Sequence, residues 1–337
     1  MKELKDKLIA ALKKSAADLV ACGNIERMTD PAVKKLFPEA KTVICVAFRQ
    51  LRGTRRGIED GTVFYQYSTS VETLEEVMIP GALLRGCAVL EEAGFEALPQ
   101  KRQLLVSNDD STNFEVDYNE VFHNIKPEVT LDFEKCAFDC GLGEIGLSGS
   151  ILTDDFGPNQ RWGFIITDAE LPADEAVTPH LCDNCKECIK ACPGHALSED
   201  GNRDSWQCAA YYKGANRTRN PFMPSDAFAD DPDRLAIIAG EADLTPEHAR
   251  EIIDQINFYP PNKHAFVASM CGRMCDTACY VHLEEKGVLK RKFKTLFRKR
   301  PVWKLSLEGE DSIGATEKSG DVQHRNSLGK SSVKILG

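Results

Sequence analysis

Apolar and charged positions alternate at helical spacing through the first twenty residues, MKELKDKLIAALKKSAADLV, which predicts an amphipathic helix and not a signal peptide. The period then changes. TVICVAF, residues 42–48, is a short β-branched run of the kind that forms a buried strand. From 73 to 99, TLEEVMIPGALLRGCAVLEEAGFEALP predicts a long helix that stops at Gly94 before a second short strand, with Pro80 bending or restarting it. RWGFIITDAEL, residues 161–171, predicts a third strand after a glycine-rich stretch. Strand, helix and strand in that order suggest an α/β layer.

Beyond residue 171 the texture is different. Residues 172–285 read as short pieces broken by Pro, Asn, Asp and Gly, and they carry eight of the thirteen cysteines, so metal rather than apolar burial is expected to organise them. KGVLKRKFKTLFRKRPVWK, residues 286–304, is a helix-like basic stretch with nine Lys and Arg, followed by a polar tail. The natural division is 1–171, 172–285 and 286–337. With 337 residues and 42% hydrophobic content the chain can build its own cores. A net charge of −10 gives no general reason to expect a nucleic acid or an anionic membrane as partner, the basic stretch being the local exception. No apolar run reaches the length of a membrane span, so a cytoplasmic, membrane-free protein is expected. Thirteen cysteines are too few for a secreted disulfide scaffold of this length and many for an ordinary enzyme, which points to metal ligation.

CDNCKECIKACPGHAL supplies the pattern. Cys182, Cys185, Cys188 and Cys192 followed by Pro193 fit C-x2-C-x2-C-x3-C-P, in which three thiolates face one [4Fe–4S] cubane and the fourth reaches a second. Zinc sites usually pair two C-x2-C knuckles instead. A second cubane needs four more cysteines downstream, and SWQC with MCGRMCDTACYVHLE provides Cys208, Cys271, Cys275 and Cys279. Exchange of fourth ligands assigns Cys182, Cys185, Cys188 and Cys279 to one cluster, and Cys192, Cys208, Cys271 and Cys275 to the other. The C-x3-C-x3-C spacing of the last three departs from the usual C-x2-C-x3-C. The other five cysteines, at 22, 45, 87, 136 and 140, lie in apolar or helical contexts and read as small core hydrophobes, a redox or metal role for Cys136 and Cys140 being the alternative. Gly141, Gly143 and Gly146 have two readings: close backbone approach to a flat cofactor, or a tight turn between helix and strand.

CGLGEIGLSGSILTDDFGPNQRWGFIITDAEL, followed by the cysteine run, resembles the corrinoid and iron–sulfur superfamily that contains epoxyqueuosine reductase and the reductive dehalogenases. The resemblance implies a nitroreductase-like cobalamin-binding domain of α/β (α+β) class, and a ferredoxin-like domain with two [4Fe–4S] clusters. It implies cofactor contacts at Gly141, Leu142, Gly143, Ile145 and Gly146. Cobalamin or another corrinoid would be bound without a protein histidine, since no D-x-H-x-x-G occurs. Electrons would come from a donor such as ferredoxin or flavodoxin and go to a small-molecule substrate or a modified base. The superfamily's proton donor is an acid or a tyrosine, for which Glu128 and Tyr118 are the alternatives here. A tRNA substrate would call on the basic stretch, and Arg55-Arg56 lies too far into the chain to be a twin-arginine export signal. The competing expectation is a non-catalytic electron-transfer or corrinoid-reactivating protein, marked by a blocked cavity above the glycine turn.

Overall fold

The amphipathic period of the N-terminus holds for one helix, α1 (Lys2–Lys14), in the computed structural model, which describes residues 1–59, 70, 71, 73–102, 129–220, 222–256 and 269–298. Leu8 and Leu12 are fully buried on its core face. The helix stops six residues short of the expected end. Ala16 turns left-handed, and Leu19–Asn24 becomes strand β1, paired antiparallel with β2 (Thr42–Arg49) from Leu19↔Ala47 to Asn24↔Thr42. A six-residue ladder that buries Ala21 and Cys22 outweighs the helical pattern of the same residues.

Alternation along β2 divides its side chains between two cores. Val43, Cys45 and Ala47 face one and Ile44, Val46 and Phe48 the other, as a strand buried on both sides requires. β6 (Gln160–Thr167) lies on β2, with Ile44 opposite Ile165, and β3 (Ala97–Gln100) lies on the far edge of β6. The order is β1-β2-β6-β3 and every neighbouring pair is antiparallel, so helices and sheet combine in the α+β manner.

The remaining helices of this half are α2 (Ala32–Leu36), α3 (Arg52–Glu59), α4 (Ile79–Glu91) and α5 (Phe133–Cys140). α4 joins α1 over one face of the sheet; α5 covers the other. Pro80 does restart its helix. With no proline N–H to continue the ladder, the preceding turn, Leu74–Met78, widens to π form and the Ile79 N–H reaches back to the Leu74 carbonyl. Asp132 caps α5 by accepting from the Lys135 N–H at 3.0 Å, and Gly141, at φ 87°, ends it. A small hairpin follows, β4 (Glu144–Ile145) against β5 (Ile151–Leu152).

Five short helices carry the rest: α6 (Glu187–Lys190), α7 (Ser205–Lys213), α8 (Arg234–Ala239), α9 (Pro246–Gln255) and α10 (Met274–Glu285). Apolar burial contributes more here than the broken sequence suggests. Tyr211, Phe228, Ile237, Leu244, Ala249 and Ile252 form a core of their own beneath α7, α8 and α9. The basic stretch is not a helix over its described part. Gly287, at φ 68°, ends α10, and residues 288–298 fold back as bends and irregular chain. Lys286 pairs with Asp183, Lys290 with Asp154, Arg291 with Asp155 and Arg298 with Glu59, while Phe297 is buried edge-on against Tyr280. Among the described residues no helix is long and apolar enough to cross a membrane.

Candidate metal centre

None of the thirteen cysteines is in a disulfide. Cys182, Cys185, Cys188 and Cys279 line one pocket, whose walls are completed by Leu147, Leu152, Leu181 and Leu283 on one part and by Asp183, Lys186 and His282 on another. The loop that brings the first three together bends through left-handed Asn184 and Lys186, two non-glycine residues in a conformation that wraps backbone tightly. α10 delivers Cys279 from the opposite side. Burial pushes the Cys279 thiol up, with Cys188, Cys182 and Cys185 adding to it.

Cys192, Cys208, Cys271 and Cys275 form the second group. Burial raises the Cys208 thiol to about 11, with Cys271 and Cys192 as neighbours, and raises Cys275 well above its ordinary value, with Cys271 and Cys208 beside it. Cys192 and Cys271 are neighbours as well, so the four side chains lie in one region of the fold. Among the described residues, no three of these eight sulfurs lie within 4.8 Å of one another. A single tetrahedral zinc would draw its thiolates to about 3.8 Å, from a Zn–S bond of about 2.3 Å.

Hydrogen-bond donors surround the sulfurs. The Leu147 N–H meets Cys182 Sγ at 3.3 Å, the Ala196 N–H meets Cys192 Sγ at 3.3 Å, and the Arg273 N–H meets Cys271 Sγ at 3.4 Å. Such donors stabilise negative charge on sulfur. The start of the cysteine loop is held by Glu144, a buried carboxylate on β4 that accepts from the N–H groups of His180, Leu181 (2.9 Å) and Cys182 (2.6 Å). Next to Cys275, the fully buried Asp276 accepts from Ser150 Oγ at 2.7 Å and lies 2.6 Å from Arg273 Nε. Burial works against its charge, but Arg273, Arg55 and the Ser150 hydroxyl hold the carboxyl below its ordinary value. Arg55, also fully buried, reaches from α3 to Thr277 Oγ1 at 3.1 Å. These contacts stitch the cysteine-bearing helix to the sheet half.

The glycine turn serves this loop. Gly146 and Leu147 line the first cysteine pocket, and Glu144 between the glycines holds the loop backbone. A Cβ on Gly141 would lie 2.5 Å from the Glu175 carbonyl oxygen, one on Gly143 2.3 Å from the Leu152 carbonyl oxygen, and one on Gly146 2.9 Å from the Leu152 side chain. The close approach that demands glycine is thus to the chain itself, the tight-turn reading. Leu142 is buried in the core beside α5, and Ile145 is exposed. Tyr118 and Glu128 lie outside the described residues.

Cys22, Cys45, Cys87, Cys136 and Cys140 are all buried in the two sheet cores. Three functional-looking residues had little local signal. Glu144 sits inside a motif whose glycines draw the eye; Asp276 follows a cysteine in a helix; Glu75 is buried on the π turn, with Oε1 3.1 Å from Arg161 Nε and Oε2 without a hydrogen-bond partner among the described residues. At the sheet end nearby, the side-chain amide of Gln50 and Asn159 Oδ1 are likewise buried without hydrogen-bond partners among the described residues.

The chain has homologues named epoxyqueuosine reductase and reductive dehalogenase. It is 35% identical over 88 residues to the epoxyqueuosine reductase of Synechococcus sp. (strain RCC307), a stretch that covers 26% of this chain and 27% of that protein. It is 39% identical over 67 residues to a tetrachloroethene reductive dehalogenase of Desulfitobacterium hafniense, covering 19% of this chain and 12% of that one. The matched stretch thus spans about a quarter of the epoxyqueuosine reductase's length. Among solved structures, epoxyqueuosine reductase from Streptococcus thermophilus aligns at a TM-score of 0.40 and 17% identity over 62% of this chain and 57% of that one. No family model matches the chain.

Proposed function

We propose that this chain is an iron–sulfur oxidoreductase of the cytoplasm. It holds one [4Fe–4S] cluster on Cys182, Cys185, Cys188 and Cys279 and another on Cys192, Cys208, Cys271 and Cys275. A ferredoxin-like portion, 172–285, is carried on the sheet portion, 1–171, and electrons from a ferredoxin or flavodoxin reach a small-molecule substrate or a modified base. The observation that carries the reading is the adjacency of two four-sulfur groups. Cys188 and Cys192 belong to different groups yet lie four peptide steps apart, at most about 14 Å of chain. The C-x2-C-x2-C-x3-C-P run supports cubanes, and the names of the homologues support a reductase.

When bound, the clusters would supply stepwise one-electron transfer at low potential. The chain's own residues do the rest. Backbone N–H groups of Leu147, Ala196 and Arg273 donate to thiolate sulfurs. Arg203 and Arg273 place positive charge beside the second group. Leu152, Leu181, Leu283 and Leu289 form an apolar cluster packed against Cys182 and Cys279 of the first.

Cobalamin fits less well. The faces of Gly141, Gly143 and Gly146 are filled by Glu175 and Leu152, so the turn offers no bare backbone cradle to a flat macrocycle. That filling favours a second reading, an electron-transfer or corrinoid-reactivating protein. Within the described part of the basic stretch a tRNA substrate would call on Lys292 and Lys294, because Lys286, Lys290, Arg291 and Arg298 are paired with carboxylates. Anaerobic reconstitution tests the proposal: about eight irons per chain are expected from two cubanes. Cobalamin uptake by that protein would select the corrinoid-dependent reductase, and eight irons without uptake the relay. A chain that takes up little or no iron overturns both.

A further inference from the structure

Three ligand atoms of different kinds meet in the wall of the first cysteine pocket. Asp183, Cys185 and His282 all line it, and a carboxylate oxygen, the thiol sulfur and a ring nitrogen lie within 4.8 Å of one another. His282 Nε2 is 3.0 Å from both Asp183 oxygens. Among the described residues this is the one group of three or more His, Cys, Asp or Glu side chains at that spacing. The pocket holds about 20 Å³, which suits a single ion or water-sized body.

Local chain geometry brings the three together. Asp183 and Cys185 flank Asn184, whose left-handed φ of 58° bends the loop between them. His282 stands three residues beyond Cys279 on α10, and so on the same face of that helix. Asp183 is exposed and the other two are half-buried, so an ion reaches them from solvent without opening the fold. Zinc accepts thiolate, imidazole and carboxylate alike, and bonds of about 2.0 to 2.3 Å set tetrahedral ligand atoms about 3.3 to 3.8 Å apart. The pair of His282 and Asp183 is close to that spacing as it stands. Lys286 competes: its Nζ is 2.7 Å from Asp183 Oδ2, and an ammonium beside the carboxylate opposes a second cation there.

We propose that Asp183, Cys185 and His282 form a mononuclear site for a divalent ion of the zinc class in the cluster-free chain, with water in the fourth position, and that this ion excludes the first [4Fe–4S] cluster. The ion takes the place of the Cys185 thiol proton, which leaves to solvent. Lys286 guards the site by holding Asp183. The site itself stands on the distances above; the exclusion rests on the iron–sulfur reading, because Cys185 Sγ is common to both.

The test is a zinc titration of the full chain, freed of metal and oxygen and with its thiols reduced, against a competing chelator. The second cysteine group also attracts zinc, so the site is read by difference. Wild type should take up one more zinc than His282→Ala or Asp183→Ala. Loss of an outer partner of a zinc ligand costs about 10- to 100-fold in affinity, so loss of the His282 ligand should cost at least about 100-fold. Lys286→Ala should move the other way and tighten zinc several-fold at low salt, with the gain fading at high salt. X-ray absorption of the zinc-saturated wild type needs no variant, and should show imidazole nitrogen and oxygen alongside sulfur. Equal uptake in wild type and His282→Ala, or an all-sulfur shell, overturns the site. During anaerobic reconstitution, added zinc should remove about four more irons per chain from wild type than from His282→Ala. Equal loss in the two, or none, overturns the exclusion. Failure of the iron–sulfur reading shows separately, as no iron uptake even without zinc.

Discussion

The sheet half and the cysteine-rich half use the same residue in two solvents. Cys22, Cys45, Cys87, Cys136 and Cys140 lie among Val, Ile, Leu and Phe, where burial is the largest cause that raises their thiols, Cys22 and Cys87 to about 12. The eight cysteines beyond residue 181 are also buried enough to be raised in most cases, yet they come in two sets of four with N–H donors and arginines turned toward them. A lone buried thiol is stable as a neutral hydrophobe, whereas a crowd of sulfurs with donors aimed at it becomes favourable only once a cation takes the protons. The comparison teaches that context, and not cysteine count, separates packing from chemistry.

The strongest way to break that comparison is to remove one sulfur from each class. Cys275→Ala should lower iron from about eight to about four per chain and abolish one paramagnetic signal on reduction, because one cubane of the proposed pair loses a ligand. Unchanged iron would remove Cys275 from the second group. Next in size is Asp276→Asn, which leaves Arg273 and Arg55 buried with less compensation between the two halves. Loss of one partner from a buried ion pair costs about 3–5 kcal/mol, and the expected readout is a denaturant midpoint that falls with the slope unchanged.

Glu144→Gln sharpens the link between the glycine turn and the first group. A charged acceptor of three backbone N–H groups becomes neutral, at about 1.5–3 kcal/mol, so a chelator should strip iron faster from the variant while the second cluster's signal decays at the wild-type rate. Equal stripping rates would reduce Glu144 to a packing residue.

Much of this division was legible in the chain. The fourth cysteine of the run demanded partners, and the partners lay downstream; β2 and β6 announced themselves by continuous β-branched and aromatic runs, and Pro80 by its missing donor. Other features depend on residues far apart in sequence. β1 is only six residues long and is decided by its ladder with β2, so its pattern reads as the end of α1. The core under α7, α8 and α9 is assembled from stripes as short as Ala249 and Ile252, each too brief to show a period. The basic stretch looked free because its partners, Glu59, Asp154, Asp155 and Asp183, are scattered through the preceding chain. Glu144 was hidden by its own motif, since glycines signal a turn but not what the turn grips.

The smallest expected effect is the sharpest control. Cys136 is fully buried on α5, with its Sγ 3.6 Å from Asp30 Oδ2 and apolar neighbours from β2 and β6 around it. Cys136→Ala removes one sulfur from a well-packed site and should cost about 1 kcal/mol, the price of a methyl-sized void. Iron content and both cluster signals should be unchanged, because the Cys136 thiol stays protonated above its ordinary range, held there by burial and by Asp30. Cys140, one turn on, donates toward the Val43 carbonyl at 3.4 Å and should behave alike. If Cys136→Ala instead loses iron while its melting temperature barely moves, the sheet half holds a metal ligand of its own, and burial among apolar side chains no longer separates the two classes of cysteine.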